Sequence, residues 1–341
     1  MSYQILLTLA RYPGFPHNLE IYQKFNATLI RRDCSNEKAL VSAAENADAI
    51  LTGLTNIPRS AMEKMKKCRV ISAIGIGYEG IDLEAATELG IAVTNVPDYC
   101  LEEVSDHAIA LILACARKIV RLDRAVREGK WDTNEKLEIR TKIWPPMFRL
   151  REQTLGLIGL GRISRTLVPK VQGFGFRIIA YDPYIPQKAA QELKVSLVSL
   201  EELLQQSDYI SVHIPLTEET RNMLGIKQFQ MMKPTAYLIN TSRGALIKED
   251  ELFQALKEGL LAGASLDVTE PEPPHPDNPL IKLDEVILTA HSAHFSNLSA
   301  VELRKKAEEN VFTVLGGNFP PGLLNPAVKE KFKARWAKQS A

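Results

Sequence analysis

The chain has 341 residues, which is more than one hydrophobic core usually organises, so we expect two domains. Its composition is that of a globular protein, with 45% hydrophobic and 24% charged residues. The 42 basic and 41 acidic residues nearly cancel, which argues against nucleic acid or an anionic membrane surface as a partner.

Cysteine usage and the shortness of the apolar runs point to the cytoplasm. No two cysteines form a C-x-x-C pair, which is typical of reduced thiols rather than of a disulfide framework or a zinc site. The opening residues Met1–Leu7 lack a cationic start and a small-residue cleavage site, so they predict a strand and not a signal peptide. The longest apolar run, Ala108–Ala116, is too short to span a membrane. We therefore expect a soluble cytoplasmic protein with no bound metal. The four cysteines are Cys34, Cys68, Cys100 and Cys115.

The first third of the chain alternates strand-like apolar runs with helical periodicity. Periodic segments at Asn36–Ala44 and Asp82–Leu89 end at turn signals, as helices between parallel strands do. A long helix-like stretch follows at about 102–128, and then an irregular segment at 132–153. The predicted strands are Ile5–Leu9, Thr28–Ile30, Ala49–Leu51, Val70–Ile74 and Ala92–Asn95.

A second series of strands begins at Thr154, and a last helix is predicted at Leu298–Leu315, before a Pro-rich tail. Six strands joined by helices is the count of a complete dinucleotide-binding sheet. Both halves are thus α/β, and we expect the active site in the cleft between them. The predicted strands are Thr154–Ile158, Arg177–Tyr181, Tyr209–His213, Ala236–Asn240, Ala264–Leu266 and Val286–Thr289.

A glycine-rich turn follows the first strand of this second series. It has the pattern G-x-G-x-x-G with Ser164 in the third position. Gly159 allows the tight turn, and Gly161 lets the backbone approach a pyrophosphate at the helix N-terminus. Such turns often serve only chain reversal, but the next strand ends in Asp182, near the expected spacing of about 20 residues. An acid there binds ribose hydroxyls and repels a 2′-phosphate, so NAD is favoured over NADP. The alternative is that Asp182 merely caps a turn.

Three further strands end in groups suited to reducing a 2-oxo acid. Arg243 follows one strand, Glu272 follows the next and His291 follows the third. The carboxyl ends of strands form the ligand crevice of an open α/β sheet, so these groups are expected to converge. An arginine matches paired oxygens of a carboxylate and carbonyl. A histidine beside a carboxylate suits proton transfer near neutral pH.

These motifs resemble the D-isomer-specific 2-hydroxyacid dehydrogenases, including the glycerate and phosphoglycerate dehydrogenase-like members. The resemblance runs from about Gly75-Ile76-Gly77-Tyr78-Glu79-Gly80-Ile81-Asp82 to His294 and includes His213-Ile214-Pro215-Leu216-Thr217. It implies that Arg243 binds the substrate carboxylate and carbonyl, and that His291 is the acid/base. It further implies that Glu272 pairs with His291 and that the product is the (R)-2-hydroxy acid.

The resemblance also implies a fold and further ligand contacts. A Rossmann-type doubly wound domain, residues 103–295, is inserted into a smaller flavodoxin-like substrate domain formed by residues 1–102 and 296–341. The loop Gly75, Ile76 and Gly77 receives the substrate carboxylate. The implied NAD contacts are Gly159, Gly161, Arg162, Ile163, Asp182, Ile214, Pro215, Thr220, Thr241, Ser242, Asp267 and His291.

Several residues depart from the family pattern or compete with those chosen. Ser164, Thr269 and Ala290 replace a glycine, an aromatic and a proline, which puts substrate identity more than reaction type in doubt. Glu270 is the alternative to Glu272, and His294 is the competitor of His291. His213 is expected to line the cofactor, and His107 to pack or to form a hydrogen bond between the domains.

Two other functions remain open at this point. Carboxyl-terminal-binding-protein corepressors resemble the same family, and in them the dinucleotide controls assembly on partner proteins. Formate- or phosphite-oxidising relatives are a weaker alternative, and Glu272 argues against the formate type, which carries glutamine there. Turnover on a panel of 2-oxo acids separates the enzyme from the corepressor.

The segment 132–153 is long for a connection inside a compact domain and holds Trp144-Pro145-Pro146. We predict that it forms an arm that packs on a second copy of the chain, with Trp144 near the cleft of that copy. A homodimer is therefore expected.

Overall fold

The computed structural model describes residues 2–9, 12–53, 55–133 and 136–336, and the chain divides into two compact units. Unit 1 consists of Met1–Tyr99 with Ser296–Ala341, and unit 2 of Cys100–Phe295. The first boundary lies three residues before the one expected from the sequence. Within the described residues, no helix is both long and apolar enough to cross a membrane.

Unit 1 is built on a five-stranded parallel sheet with the strand order β2-β1-β3-β4-β5. This is the flavodoxin-like order. Two inner strands, Ala49–Thr52 and Val70–Ala73, are buried on both faces, as strands covered by helices on each side must be, and most of their residues are therefore apolar. The strands are β1 Tyr3–Leu7, β2 Ala27–Arg31, β3 Ala49–Thr52, β4 Val70–Ala73 and β5 Ala92–Thr94.

Unit 2 is built on a seven-stranded parallel sheet with the order β12-β11-β10-β9-β6-β7-β8. Apart from the added β12, this is the doubly wound order of dinucleotide-binding sheets. The two-unit α/β fold class predicted from the sequence is confirmed, but the count of six strands was wrong, because the two-residue strand β8 is too short to give a pattern. The strands are β6 Thr154–Ile158, β7 Arg177–Tyr181, β8 Ser196–Leu197, β9 Tyr209–Val212, β10 Tyr237–Asn240, β11 Gly263–Leu266 and β12 Val286–Leu288.

Helices connect the strands in both units. The helix predicted at 102–128 is in fact two helices, because Lys118 adopts a left-handed conformation (φ 52°) between them. The sequence predicted no helix in the Pro-rich tail, and the structure shows one there, Val328–Trp336. The helices are α1 Leu19–Lys24, α2 Glu37–Ala44, α3 Arg59–Met62, α4 Leu83–Glu88, α5 Leu101–Ala116, α6 Ile119–Arg127, α7 Arg162–Gln172, α8 Gln187–Glu192, α9 Leu200–Gln206, α10 Ile226–Phe229, α11 Glu249–Lys257, α12 Asn297–Leu315 and α13 Val328–Trp336.

Two apolar clusters cover the two faces of the sheet in unit 2. Successive residues of a strand point to opposite faces, so Leu157 joins one cluster and Ile158 the other, as do Ile239 and Leu238. Each of these side chains is fully buried. Burial of one such side chain stabilises the fold by about 1.5–3 kcal/mol, so the clusters hold the strand ends in fixed register.

The helix α12 completes unit 1 from the far end of the sequence. Its Ala307 carbonyl accepts a hydrogen bond from Ser72 of β4 (3.2 Å). The buried carboxylate of Glu308 accepts hydrogen bonds from the Tyr22 hydroxyl (3.0 Å) and from the backbone amides of His17 and Asn18. Burial raises the pKa of Glu308, while these donors oppose the rise. The C-terminal segment is thereby tied to the first helix of the chain.

Candidate active site

The residues predicted to do chemistry in unit 2 lie at the carboxyl ends of its strands. Because every strand of the sheet is parallel, these ends meet at one edge. From β12 to β7, the loops at this edge carry His291, Asp267 with Glu272, Arg243, His213, the glycine-rich turn and Asp182. The chain reverses direction across the sheet between β6 and β9, where open α/β sheets bind ligands.

The glycine-rich turn fits a dinucleotide pyrophosphate. Gly159 has φ +93°, and a Cβ there would lie 2.6 Å from the carbonyl oxygen of His213, so only glycine fits. A Cβ on Gly161 would meet no atom within 4 Å, which leaves open space at the start of α7. Among the described residues, the amides of Gly161, Arg162 and Ile163 have no hydrogen-bond acceptor. Free amides at a helix N-terminus are suited to an anionic group.

Ser164 takes over the packing role of the third glycine. It is fully buried, and its Oγ donates a hydrogen bond to the carbonyl oxygen of Gly159 (2.6 Å). The serine therefore closes the turn on the helix, and the departure from the family pattern leaves the turn intact.

Asp182 is bound directly to this turn. Its Oδ2 accepts a hydrogen bond from the Leu160 amide (2.8 Å), and its Oδ1 accepts one from the Tyr184 amide (2.9 Å). The carboxylate thus caps a turn, as the alternative interpretation held. Each carboxylate oxygen also has a second lone pair for a ribose hydroxyl. The two interpretations of Asp182 are compatible.

The loop after β9 packs against the glycine-rich turn. His213 is buried, its Nε2 lies 2.9 Å from Ser211 Oγ, and burial lowers its pKa to about 4. A histidine in this state is neutral at physiological pH and is unsuited to carry a proton. Pro215 is exposed, and its carbonyl oxygen accepts a hydrogen bond from Thr220 Oγ1 (2.7 Å), which closes the loop. The side chain of Ile214 lies beside Gly159.

Asn240, which the sequence argument did not select, organises the loop that carries Arg243. Its buried amide accepts a hydrogen bond from the Ser242 amide (2.9 Å) and donates one to the Arg243 carbonyl oxygen (2.8 Å). Ser242 Oγ donates to the carbonyl oxygen of Val212 in β9 (2.8 Å). Thr241 is buried, and its Oγ1 has no hydrogen-bond partner within the described residues. An asparagine at a strand end was the available signal for this turn.

Arg243 is half-buried, and its Nη1 donates a hydrogen bond to the carbonyl oxygen of Ser242 (2.7 Å). The next residue, Gly244, allows the Arg243 loop to pack on the loop after β11, since a Cβ there would lie 2.1 Å from the carbonyl carbon of Thr269. Thr269 is buried in this contact and donates a hydrogen bond to the Pro271 carbonyl oxygen (2.9 Å). The arginine is thus held on the loop next to the one that carries Glu272.

The structure brings Glu272 and His291 together. Nδ1 of His291 lies 2.7 Å from Oε2 of Glu272, and the two side chains are 43% and 36% exposed. Among the described residues, Nε2 of His291 has no hydrogen-bond partner, so it remains available to a ligand. Glu270 does not share this role, since its amide donates to Glu249 (2.7 Å) and no bond to His291 is recorded for it within the described chain.

Asp267 fixes the backbone of the His291 loop. Its carboxylate is fully buried and accepts hydrogen bonds from Thr289 Oγ1 (2.5 Å) and the amides of Ser292 (2.9 Å) and Ala293 (3.0 Å). Burial alone would raise the pKa of Asp267, but these donors and the nearby His107 outweigh it and hold the pKa below its usual range. Its predicted contact with the cofactor stays a prediction.

His107 was expected to pack or to form a hydrogen bond between the domains, but its hydrogen bond lies inside unit 2. Its Nε2 lies 3.0 Å from Thr289 Oγ1 and 3.6 Å from Asp267 Oδ1. Since Thr289 donates to Asp267, its oxygen is left to accept from His107, and α5 is thereby joined to the loops after β11 and β12.

The Gly75–Gly77 loop lies in unit 1, at the carboxyl end of β4. Asn95 Nδ2 donates to the carbonyl oxygen of Ile76 (2.7 Å), and the Val96 amide donates to that of Gly75 (2.9 Å). Among the described residues, the amides of Ile76 and Gly77 have no acceptor. Neighbouring free amides of this kind suit a carboxylate. No group of three or more metal-ligating side chains occurs in the described parts of the chain.

The open space at Gly161 gives a test that separates ligand binding from folding. We expect Gly161→Ala to change the free energy of unfolding by less than about 1 kcal/mol while weakening NADH binding at least about tenfold, because the methyl group fills the space of the pyrophosphate. Fluorescence titration with NADH and thermal unfolding measure the two effects. Gly173→Ala, at the other end of α7, is the control and should change neither; NADH affinity equal to wild type in the Gly161 variant would contradict the assignment.

Comparison with known proteins identifies the family. Residues 109–293 match the model of the D-isomer specific 2-hydroxyacid dehydrogenase NAD binding domain. The chain is 41% identical over 298 residues to a glyoxylate reductase from Korarchaeum cryptofilum, covering 86% of this chain and 87% of the relative. It is 39% identical over 294 residues to a glyoxylate reductase from Thermococcus litoralis, covering 85% and 87%.

Solved structures agree with these matches. D-lactate dehydrogenase from Aquifex aeolicus, crystallised with NAD and lactic acid, superposes with a TM-score of 0.79 at 27% identity, covering 92% of this chain and 96% of that one. The chain therefore belongs to the D-isomer specific 2-hydroxyacid dehydrogenase family and is an NAD-dependent enzyme of that family.

Proposed function

We propose that the protein interconverts a small 2-oxo acid and its (R)-2-hydroxy acid with NAD(H), using His291, Glu272 and Arg243. The observation that carries this proposal is the 2.7 Å hydrogen bond between His291 Nδ1 and Glu272, which leaves Nε2 available. An imidazole fixed by a carboxylate at one nitrogen and free at the other is the arrangement that general acid–base catalysis needs.

His291 transfers the proton of the reaction. When bound, NADH supplies the hydride, which adds to C2 of the oxo acid. The oxygen on C2 then takes its proton from Nε2 of the imidazolium, and the N–H bond electrons remain on the imidazole. Glu272 stabilises the imidazolium before the transfer through a charge-assisted hydrogen bond and keeps the ring in one orientation. In the oxidation direction the same ring accepts the proton.

Arg243 binds the substrate. Its guanidinium presents paired N–H donors that match a carboxylate and the adjacent carbonyl oxygen. The charge that develops on that oxygen during reduction strengthens the interaction in the transition state. The loop geometry set by Asn240 and Gly244 supports this role, because it limits where the arginine can reach.

We further propose a division of labour between the units. Unit 2 binds NAD through the glycine-rich turn and Asp182, with the loops after β9, β10 and β11 along the dinucleotide. Unit 1 receives the substrate carboxylate at the free amides of Ile76 and Gly77. The four cysteines are buried and form no disulfide bond within the described residues, which supports a cytoplasmic location.

Glyoxylate is the first substrate to test. The two relatives described above are glyoxylate reductases, and they match most of this chain. We propose that a small, unphosphorylated 2-oxo acid such as glyoxylate or hydroxypyruvate is preferred.

NADH oxidation with a panel of ten 2-oxo acids tests the reaction and the role of His291 together. The wild-type protein is expected to turn over at least one small acid, whereas His291→Gln should lower kcat by about 10²–10⁴-fold and still bind NADH, since the amide cannot transfer the proton. His275→Gln, which changes an exposed histidine in the Pro-rich loop, is the control and should match wild type. Equal kcat in the His291 variant rejects the assignment, and a wild-type protein that binds NADH without turnover favours a dinucleotide-dependent scaffold.

Replacement of Arg243 tests its contributions to substrate binding and to the chemical step. Arg243→Ala should raise KM for the oxo acid and reduce kcat/KM by about 10²–10³-fold, because both the carboxylate contact and the transition-state charge are lost. Arg177→Ala, at the amino end of β7, is the matched control. An unchanged KM in the Arg243 variant argues against the carboxylate contact.

We also propose that the arm at 132–153 packs on a second copy of the chain. Trp144 and Phe148 are 46% and 41% exposed, and the neighbouring Ile119, Val126 and Trp131 are also exposed. A surface cavity of about 630 Å³ lies at the arm, lined by Trp144, Pro145, Pro146, Met147, Arg117 and Leu122. Exposed apolar side chains concentrated in one segment are typical of an association surface.

Two charged side chains preform the arm. Asp132 accepts hydrogen bonds from the amides of Ile139 (2.8 Å) and Arg140 (3.0 Å), at the start of a π-helical turn. Lys118, which is 6% exposed, donates to the carbonyl oxygens of Ile143 (2.6 Å) and Pro145 (3.1 Å) at its end. An acid at the amino end and a cation at the carboxyl end both match the dipole of the turn.

The oligomeric state tests this proposal. Wild-type protein at micromolar concentration should sediment as a dimer, and Lys118→Met should weaken the dimer at least about tenfold because the unpaired carbonyls release the arm. Lys142→Met, on an exposed lysine of the same arm, is the control. A wild-type monomer at these concentrations removes the proposal.

A further inference from the structure

His294 carries a contact that the proposed reaction does not yet use. Its ring lies edge-to-face with that of His291, with 5.8 Å between centroids and 88° between planes. It also forms a hydrogen bond to the backbone of His291, and it does so as the donor, because the bond favours the protonated ring. The carbonyl oxygen of His291 is therefore the acceptor.

The backbone of His291 requires such support. His291 has φ +49°, a left-handed conformation that costs a residue other than glycine about 1–3 kcal/mol. Its own amide donates to the Asp267 carbonyl oxygen (2.7 Å), and the two following amides bind the Asp267 carboxylate. These bonds fix the N–H groups of the loop, but none of them involves the carbonyl oxygen of His291, which can accept from another donor.

We propose that His294 is a positioning residue for the reaction: its N–H holds the carbonyl oxygen of His291, and its ring edge limits rotation of the His291 imidazole. This inference rests on the proposed role of His291. It explains why two histidines three residues apart at one strand end have different roles: His291 transfers the proton, and His294 holds the His291 ring in position.

The charge state of His294 agrees with this division. Two ionisable groups face it, His291 on its own loop and Asp267 on the loop after β11, while Glu272 binds His291 and not His294. Burial and the positive charge of His291 lower the pKa of His294, which favours a neutral His294 ring beside a protonated His291. A neutral ring donates the hydrogen bond without repelling the imidazolium beside it.

A set of three variants tests the proposal. His294→Phe keeps the ring and removes the donor, whereas His294→Asn and His294→Gln place an amide N–H near the positions of Nδ1 and Nε2. We expect the Phe variant to lower kcat for 2-oxo acid reduction about tenfold, with KM and the Kd for NADH within about twofold of wild type. One of the two amide variants should recover most of kcat, and its identity reports which ring nitrogen donates.

The pH dependence of kcat distinguishes a positioning role of His294 from an effect of its charge on His291. Since the proposed role of His294 depends on its N–H donor and not on a charge, the Phe variant should lower the plateau of kcat without moving its alkaline midpoint. A midpoint shift of more than about half a pH unit, corresponding to a direct charge interaction, overturns the proposal. Wild-type kcat in the Phe variant, or failure of both amides to recover activity in folded protein, also overturns it.

A substrate-free measurement distinguishes this failure from failure of the proposed function. In the NMR spectrum of wild-type protein, the Nδ1 proton of His291, bound to Glu272, should exchange slowly and be absent in His291→Gln. His294→Phe should broaden or lose this signal, and the effective amide variant should restore it, whether or not any oxo acid is turned over. A signal unchanged in His294→Phe contradicts the positioning role even if the enzyme is active.

Discussion

The buried carboxylate of Asp267 holds the loop on which the candidate chemistry depends. An ionised group inside a protein is tolerated only when donors surround it, and here Thr289 and two loop amides supply them. The loop in turn can keep His291 in a left-handed conformation because its amides are already committed to this acid. The carboxylate and the loop therefore stabilise each other, and the position of the imidazole beside Glu272 follows from that pairing.

The sequence correctly predicted which residues lie at the carboxyl edge of the sheet, because parallel strands restrict where polar residues can be placed. Apolar runs such as Tyr209–Val212 and Tyr237–Asn240 must be buried on both faces, so polar residues that follow them can lie only at the strand ends. The Glu272–His291 contact followed from this rule and the family resemblance together. Gly159 of the glycine-rich turn could also be predicted from the sequence, because no side chain fits at that position.

What the sequence did not predict depends on partners distant along the chain. His107 reaches Thr289 across 182 positions, and nothing in the local pattern of α5 indicates that bond. Lys118 breaks a helix that its neighbours favour, because its ammonium group binds carbonyl oxygens about 25 residues away. In the sequence, Asn240 is only the last residue of a strand. Its role becomes clear from the structure, where its side-chain amide binds the Ser242 amide and the Arg243 carbonyl oxygen. Local propensity cannot register such contacts, because tertiary interactions outweigh it.

Three histidines lie at the same edge of one sheet, and their different surroundings give them different properties although the residue type is the same. His213 is buried without a charged neighbour, so its pKa falls to about 4 and it stays neutral. His294 is half-buried next to a ring that becomes positive, so it too favours the neutral form, yet it keeps a donor for the backbone. His291 has a side chain that is 43% exposed, and it has Glu272 as a partner for its imidazolium. Since proton transfer requires a ring that can hold a charge and also reach a ligand, an exposed side chain and a carboxylate neighbour together support the proposal that His291 transfers the proton. The pKa of His213 and the backbone contact of His294 support the proposal that those two rings do not.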